Sequence, residues 1–172
     1  MTAPAFDQLL RRLAEADVEF VLIGGLAVNA WGVVRGTKDV DIVVAPEPEN
    51  LERIARIAVA AHGHVQRGDA FLSTPFSIAA ELASGERVAI ETELGLLDVV
   101  QGLDGVPSYA ELHGSATEAE VLGVKVAVCS IDALRQMKQV AGRPRDHVDI
   151  EDLDAASSSS TIDEQGPDSS AG

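Results

Sequence analysis

Two glycines and two aspartates, each set beside a short apolar run, most constrain how this chain can fold. Gly24 and Gly25 directly follow apolar residues 21–23, and Asp39 and Asp41 open an apolar run that ends at residue 44. Each run predicts a buried strand, and the glycine pair predicts a turn from the first strand into a helix. Carboxylates two positions apart on a strand share a face, with Cα atoms roughly 6.5 to 7 Å apart.

These two motifs suit a metal ion and a phosphate. Two carboxylates held side by side repel each other, and a divalent cation removes that conflict. A glycine pair at a strand-to-helix turn leaves backbone N–H groups open at a helix N-terminus, where a phosphate can bind. Together the motifs predict the transfer of a phosphate-containing group.

A third carboxylate, Asp98, lies inside the apolar run 96–100. An Asp is costly to bury in a strand unless it is paired or bound to a metal. If this strand lies beside that of Asp39 and Asp41, the triad can hold two Mg²⁺ ions about 3.5 to 4 Å apart. Asp98 is then the natural general base, directly or through its metal. Taken singly, Asp39 also fits an N-cap or turn and Asp98 a turn, but the joint pattern favours the metal site.

The periodicity of the apolar residues predicts one α/β domain followed by a tail. Helical spacing is found over 5–16, 24–31, 48–61, 73–82, 109–112, 131–140 and 146–153, and strand patterns over 18–23, 40–44, 87–91, 96–100 and the hairpin 120–128. We place the globular domain at residues 1–154. Residues 155–172 are Ser-rich and acidic with almost nothing to bury, so we expect a disordered tail.

The charge balance limits the partners of the surface as a whole. The chain carries a net charge of −15. Such a surface does not attract nucleic acid or an acidic membrane overall, although a local basic patch is compatible with it. The N-terminus shows no signal-peptide pattern, and no apolar run has the length of a membrane span. We therefore expect a cytoplasmic protein without a membrane partner.

Four other residues have a functional and a simpler interpretation. His62 and His64 could bind a metal as a His-x-His pair, but solvated loop histidines are the simpler interpretation. Cys129 lies in an apolar run and is interpreted as a buried thiol. Trp31 is interpreted as a core residue rather than a base-stacking one.

The order of these motifs resembles the nucleotidyltransferase superfamily with the polymerase-beta-like fold. GGLAVNAWGVVRGTKDVDIVV at 24–44 is similar to the GG-x-A…G…R-x-T-x-D-x-D form of the AbiEii-like toxin-type nucleotidyltransferases and their small relatives. SIDALRQMKQVAGRPRDHVDIEDL at 130–153 resembles their closing segment, with four residues at the matching places: Lys138, Arg143, Asp146 and Asp149. The resemblance covers roughly residues 5–154 and implies a mixed β-sheet flanked by helices.

The resemblance also implies roles for the first two motifs. Gly24 and Gly25 would bind the triphosphate of a nucleotide through their backbone. Asp39 and Asp41 would ligate Mg²⁺, and Asp98 would complete the metal site.

The remaining roles come from the resemblance alone. Lys138 would reach the triphosphate or the acceptor, and Asp149 would orient Lys138. Arg35 and Thr37 would contact phosphate or else belong to a solvated loop. Many small members of the superfamily have a Ser where this chain has Gly25, so backbone amides, or Lys138, must replace its hydroxyl.

The implied function is Mg²⁺-dependent transfer of a nucleoside monophosphate from a nucleoside triphosphate to an acceptor hydroxyl, with release of pyrophosphate. The acceptor stays open between tRNA, a protein side chain and a small molecule, and the protein could belong to a toxin–antitoxin pair. The alternatives are a non-catalytic nucleotide-binding partner or antitoxin, and an antibiotic nucleotidyltransferase. A plain α/β domain would require several coincidences among the motifs.

Overall fold

Helices account for about half of the part of the chain that the structure describes. The structure is a computed structural model, and it describes residues 4–162. The helices within this range are α1 Phe6–Glu15, α2 Gly24–Ala30, α3 Pro48–Ala60, α4 Pro75–Ala83, α5 Tyr109–Ser115, α6 Ile131–Ala141 and α7 Pro144–Ile162. Among these described helices, none is both long and apolar enough to cross a membrane.

The strands form one mixed sheet and one small hairpin. They are β1 Phe20–Ile23, β2 Asp39–Val44, β3 Val65–Arg67, β4 Ala70–Leu72, β5 Val88–Thr92, β6 Gly95–Val99, β7 Thr117–Val121 and β8 Val124–Val128. Six of them pair in the order β5-β6-β2-β1-β8-β7, and β3 pairs with β4. β2 runs antiparallel to β1 and parallel to β6. The predicted mixed sheet with flanking helices is therefore confirmed.

The core forms where the helices pack on the sheet. Val40 and Ile42 of the central strand β2 are fully buried, as are Leu9, Leu10 and Leu13 of α1. Burial of each such side chain contributes roughly 1.5 to 3 kcal/mol. α1 contacts β8, whereas α2 contacts β1 and β2. The glycine pair of α2 and the aspartates of β2 thus lie on elements that pack in the core.

Two elements differ from the sequence prediction. The hairpin of β3 and β4 does not follow from the sequence pattern, because its strands have three residues each and alternate too briefly. α7 begins earlier and ends later than the helix predicted at 146–153, and it runs eight residues past the predicted boundary at 154. Alanine favours helix at positions 155 and 156. Residues 155–162 are therefore helical where we expected disorder. Residues 163–172 lie outside the described residues.

Candidate active site

The three predicted metal ligands meet at the centre of the sheet. Asp39 and Asp41 share a face of β2, and Asp98 stands directly opposite Asp41 in the parallel pairing of β2 with β6. Each contributes a carboxylate oxygen to a group whose members all lie within 4.8 Å of one another. Asp98 is fully buried, and the other two are partly exposed. The strand pairing on which the triad depends is therefore present.

Asp41 is a weaker acid in this site than an ordinary aspartate. Burial, and then the negative charges of Asp39 and Asp98, raise the pKa of Asp41 from 3.8 to about 8. A metal-free triad therefore retains a proton at neutral pH. Clustered carboxylate oxygens are the ligands that Mg²⁺ prefers, and a divalent cation would take the place of that proton. The donor set fits the implied metal.

Arg87 is a member of this site that the sequence prediction missed. Its Nε lies 2.9 Å from both carboxylate oxygens of Asp98, and its Nη2 also donates to Oδ2. This hydrogen bonding raises the pKa of Arg87 above its usual value. Ala89 of β5 stands opposite Asp98, and Arg87 lies two residues before Ala89 on the same face. Only the register of two strands reveals this neighbour.

The glycine pair is required by close contacts with the carboxylate strand and the loop before it. Gly24 has φ +70°, and a Cβ on it would lie 2.2 Å from Oδ2 of Asp41. A Cβ on Gly25 would lie 2.9 Å from Oγ1 of Thr37. No side chain caps the first turn of α2, which begins at Gly24. The backbone of this turn therefore approaches the carboxylates without any intervening side chain.

The loop before β2 is held by specific hydrogen bonds. Thr37 donates from Oγ1 to the backbone oxygen of Asp39 at 2.9 Å. The backbone N–H of Arg35 donates to Oδ1 of Asn29 at 3.2 Å, and its guanidinium pairs with Asp149. The Arg35 side chain is only 17% exposed, although its neighbour Val34 in the same loop is fully exposed.

A second charged group surrounds Lys138 at the junction of α6 and α7. Nζ of Lys138 lies 2.7 Å from Asp149 and 3.5 Å from Asp146, and all three residues are buried. Arg143 donates to Oδ2 of Asp146 from its backbone N–H at 3.1 Å and from Nε at 2.9 Å. Burial acts to raise the pKa of Asp146, but the bonds from Arg143 outweigh it and lower that pKa. Asp149 thus contacts Lys138, as the resemblance implies, and Arg35 as well.

One cavity of about 560 Å³ joins the two charged groups. It is lined by all the residues expected to bind metal or nucleotide: Gly24, Gly25, Arg35, Thr37, Asp39, Asp41, Asp98 and Lys138. Its wall also includes the cationic residues Lys38, Arg87 and Arg143 and the apolar residues Leu103, Val106, Met137 and Val140. A cavity with clustered acids at one place and cations and apolar side chains around them suits a ligand that carries phosphates and an apolar part.

The residues with a simpler interpretation lie outside this cavity. His62 and His64 pair with Glu93 and Glu91 at 2.9 and 3.3 Å. Cys129 is fully buried, and burial raises its thiol pKa to about 12, so it is not a reactive thiol.

Comparison with protein families identifies the chain. Residues 2–165 match the model of a family described as nucleotidyl transferase of unknown function (DUF2204). The chain belongs to this family. No curated protein sequence matches this nucleotidyltransferase significantly.

Solved structures support the fold of the nucleotidyltransferase. ANT(2")-Ia, solved in complex with adenylyl-2"-tobramycin, is 20% identical with a TM-score of 0.57, over 92% of this chain and 89% of that one. The lincosamide antibiotic adenylyltransferase LnuA, solved with bound lincomycin, is 15% identical with a TM-score of 0.59, over 91% and 98%. An antigenic nucleotidyltransferase-like protein from Paracoccidioides brasiliensis is 16% identical with a TM-score of 0.55, over 87% and 72%. At these identities the similarity establishes the fold, and the site must be argued from its own residues.

Proposed function

We propose that this nucleotidyltransferase is Mg²⁺-dependent and transfers a nucleoside monophosphate from a nucleoside triphosphate to an acceptor hydroxyl. The observation that carries the proposal is the convergence of Asp39, Asp41 and Asp98 within 4.8 Å beside a glycine turn. Asp39, Asp41 and Asp98 would hold Mg²⁺, with two ions as the expected number. Bound there, Mg²⁺ would neutralise the negative charge that develops on the phosphates during transfer.

The residues around the triad would orient the nucleotide. The backbone of Gly24 and Gly25 approaches Asp41 closely, which supports their role in holding the triphosphate beside the metal ligands. Lys138 presents a buried cation at the cavity wall, fixed by Asp149 at 2.7 Å. A cation held in one position stabilises a phosphate better than a mobile one, because no reorganisation is needed.

The transfer itself exchanges one bond for another. The acceptor oxygen forms a bond to the α-phosphorus, the bond from that phosphorus to its bridging oxygen breaks, and pyrophosphate leaves. Asp98 would take the proton of the acceptor hydroxyl, because it is the buried member of the triad and lines the cavity.

The net charge and the apolar part of the cavity wall bear on the acceptor. The net charge of −15 disfavours a long RNA, whose affinity rests largely on Lys and Arg contacts with phosphate. The apolar wall residues Leu103, Val106, Met137 and Val140 favour a small molecule or a local part of a macromolecule. A cytoplasmic toxin of a toxin–antitoxin pair, acting on tRNA or a protein, is the version that the sequence resemblance supports.

Radiolabel transfer tests the proposal. Purified protein is incubated with each α-³²P nucleoside triphosphate, Mg²⁺ and a cell extract, beside the double variant Asp39→Asn, Asp41→Asn and the control Asp69→Asn. Asp69 is exposed between β3 and β4, away from the cavity. We expect label on an RNA, a protein or a small molecule with wild type and Asp69→Asn only. Equal labelling by the double variant would contradict the proposal.

A further inference from the structure

Arg87 holds the one triad member that is fully buried. Its guanidinium contacts both oxygens of Asp98, with Nε at 2.9 Å from each. The Asp98 side chain is 1% exposed, whereas that of Arg87 is 58% exposed. A two-pronged Arg–carboxylate contact is among the strongest hydrogen-bonded pairs in proteins. Both carboxylate oxygens of Asp98 thus accept hydrogen bonds from Arg87.

The same oxygens are the ones that a metal would need. Asp98 stands opposite Asp41, so a cation shared by the triad must bind an oxygen of Asp98 on the side of Asp41. The guanidinium on that carboxylate already donates to both oxygens and places a positive charge beside the incoming cation. The guanidinium and the metal ion are both positive, so they repel each other when both contact the same carboxylate.

We propose that Arg87 and the metal ion compete for Asp98, so that Arg87 pairs with Asp98 in the metal-free protein and leaves it when metal and nucleotide bind. This inference rests on the proposed function. Release of Arg87 is possible because most of its side chain is already exposed and lines the cavity. There the guanidinium meets the triphosphate, for which its two-pronged geometry is equally suited.

Competition at Asp98 makes the binding of metal and nucleotide positively cooperative. A metal alone must displace Arg87 into water, whereas a metal that arrives with a nucleotide gives the displaced guanidinium a phosphate partner. Two ligands that share such an exchange enhance each other's affinity reciprocally. The enzyme would thus bind free metal weakly and metal with nucleotide well.

Calorimetric titration of nucleotide-free protein with Mn²⁺ tests the competition. The variants are Arg87→Gln, which removes the competitor, and Arg87→Lys, which keeps the charge but cannot contact both oxygens equally. Arg67→Gln is the control, because Arg67 also pairs with a carboxylate, Glu81, but does not line the cavity. We expect Mn²⁺ to bind Arg87→Gln about tenfold more tightly than wild type, a typical size for coupled ligands. Arg87→Lys should bind severalfold more tightly, and Arg67→Gln should match wild type.

A purely structural role for Arg87 predicts a different result. Both Arg87 variants would then unfold at a lower temperature in EDTA while their Mn²⁺ affinity stayed equal to or below that of wild type, which would overturn the inference. Tighter binding by Arg87→Gln with no change in Arg87→Lys would also overturn it, because long-range charge alone would then be responsible. In either case Mn²⁺ binding by wild type would leave the proposed function standing. Absence of binding in wild type and in Arg87→Gln would overturn both.

The phosphate contact has its own measurement. At saturating Mg²⁺, Arg87→Gln should raise KM for the nucleoside triphosphate, because the released guanidinium is missing from the cavity. An unchanged KM would overturn the transfer of Arg87 to the phosphates.

Discussion

The cavity contains two charged groups with opposite balances. In the triad, three carboxylates lie together, and Asp98 pairs with Arg87. Around Lys138, two carboxylates face three cations, namely Lys138 itself with Arg35 and Arg143. The first group has excess negative charge and retains a proton, whereas the second is paired throughout. The difference agrees with the proposed binding of an external cation by the triad, whereas the members of the Lys138 group pair with one another.

Removal of the triad's two β2 carboxylates should have the largest effect on activity. Asp39→Asn together with Asp41→Asn should reduce transfer by about 10³-fold or more, because metal-based stabilisation of several kcal/mol is lost. The folded structure should persist, since both side chains are partly exposed and Asn has a similar size. Single-turnover rates with circular dichroism as a folding control measure this. A variant with near-normal rates would show that the triad's imbalance has no catalytic purpose.

Removal of one partner from the Lys138 group should have its main effect on the free energy of unfolding. Asp149→Ala leaves Lys138 and Arg35 without their shared carboxylate, and breaking a buried pair costs about 3 kcal/mol or more. Asp132→Ala is the control, because the Asp132 side chain is 93% exposed and its pair with Arg135 should contribute less than about 1 kcal/mol. Urea unfolding compares the two variants. Similar losses in both would mean that the Lys138 group is not a tightly paired unit.

Gly24→Ala should damage the triad through contact rather than charge. The new Cβ would collide with Asp41, so we expect a loss of about 2 kcal/mol in the free energy of unfolding. Gly123→Ala separates the clash from backbone strain, because Gly123 has φ +79° but open space within 4 Å of the place that its Cβ would take. The excess loss in Gly24→Ala over Gly123→Ala measures the clash by thermal unfolding. Equal losses would refute the tight contact.

The smallest expected effect is the pH dependence of the metal-free protein. The pKa of Asp41 is raised to about 8 in the folded state, so the stability linked to its proton is complete below about pH 4 and is lost as pH rises through 8. Between pH 6.5 and 8 the loss should be about 1 to 2 kcal/mol in EDTA. Asp41→Asn should show a flatter profile over this interval. If the free energy of unfolding changed equally with pH in wild type and Asp41→Asn, the raised pKa of Asp41 would be contradicted.

Local patterns in the sequence also predicted which distant residues come together in the triad. The spacing of Asp39 and Asp41 and the apolar run around Asp98 were sufficient to predict the triad, because strand periodicity fixes which side chains share a face. The contact of Lys138 with Asp149 came from the family resemblance and agrees with the geometry. The sequence predicted a strand-to-helix turn at Gly24, but it did not show that a Cβ there would collide with Asp41.

Two other contacts did not follow from the sequence, namely that of Arg87 with Asp98 and that of Arg35 with Asp149. Arg87 reaches Asp98 only because β5 and β6 pair in one register, and no spacing along the chain encodes that distance. The partner of Arg35 is equally remote, since Asp149 lies 114 positions later. α7 continues past residue 154, where the Ser-rich acidic composition had led us to expect disorder.

The contact between Arg35 and Asp149 has a consequence for protein synthesis. During translation the strands that carry the triad leave the ribosome well before α7, which supplies Asp149. Until then Lys138 and Arg35 lack their common partner, and one wall of the cavity is unfinished. A nascent chain therefore contains all three aspartates of the triad before it contains the shared partner of Lys138 and Arg35, so the cavity wall is completed only after α7 has been synthesised.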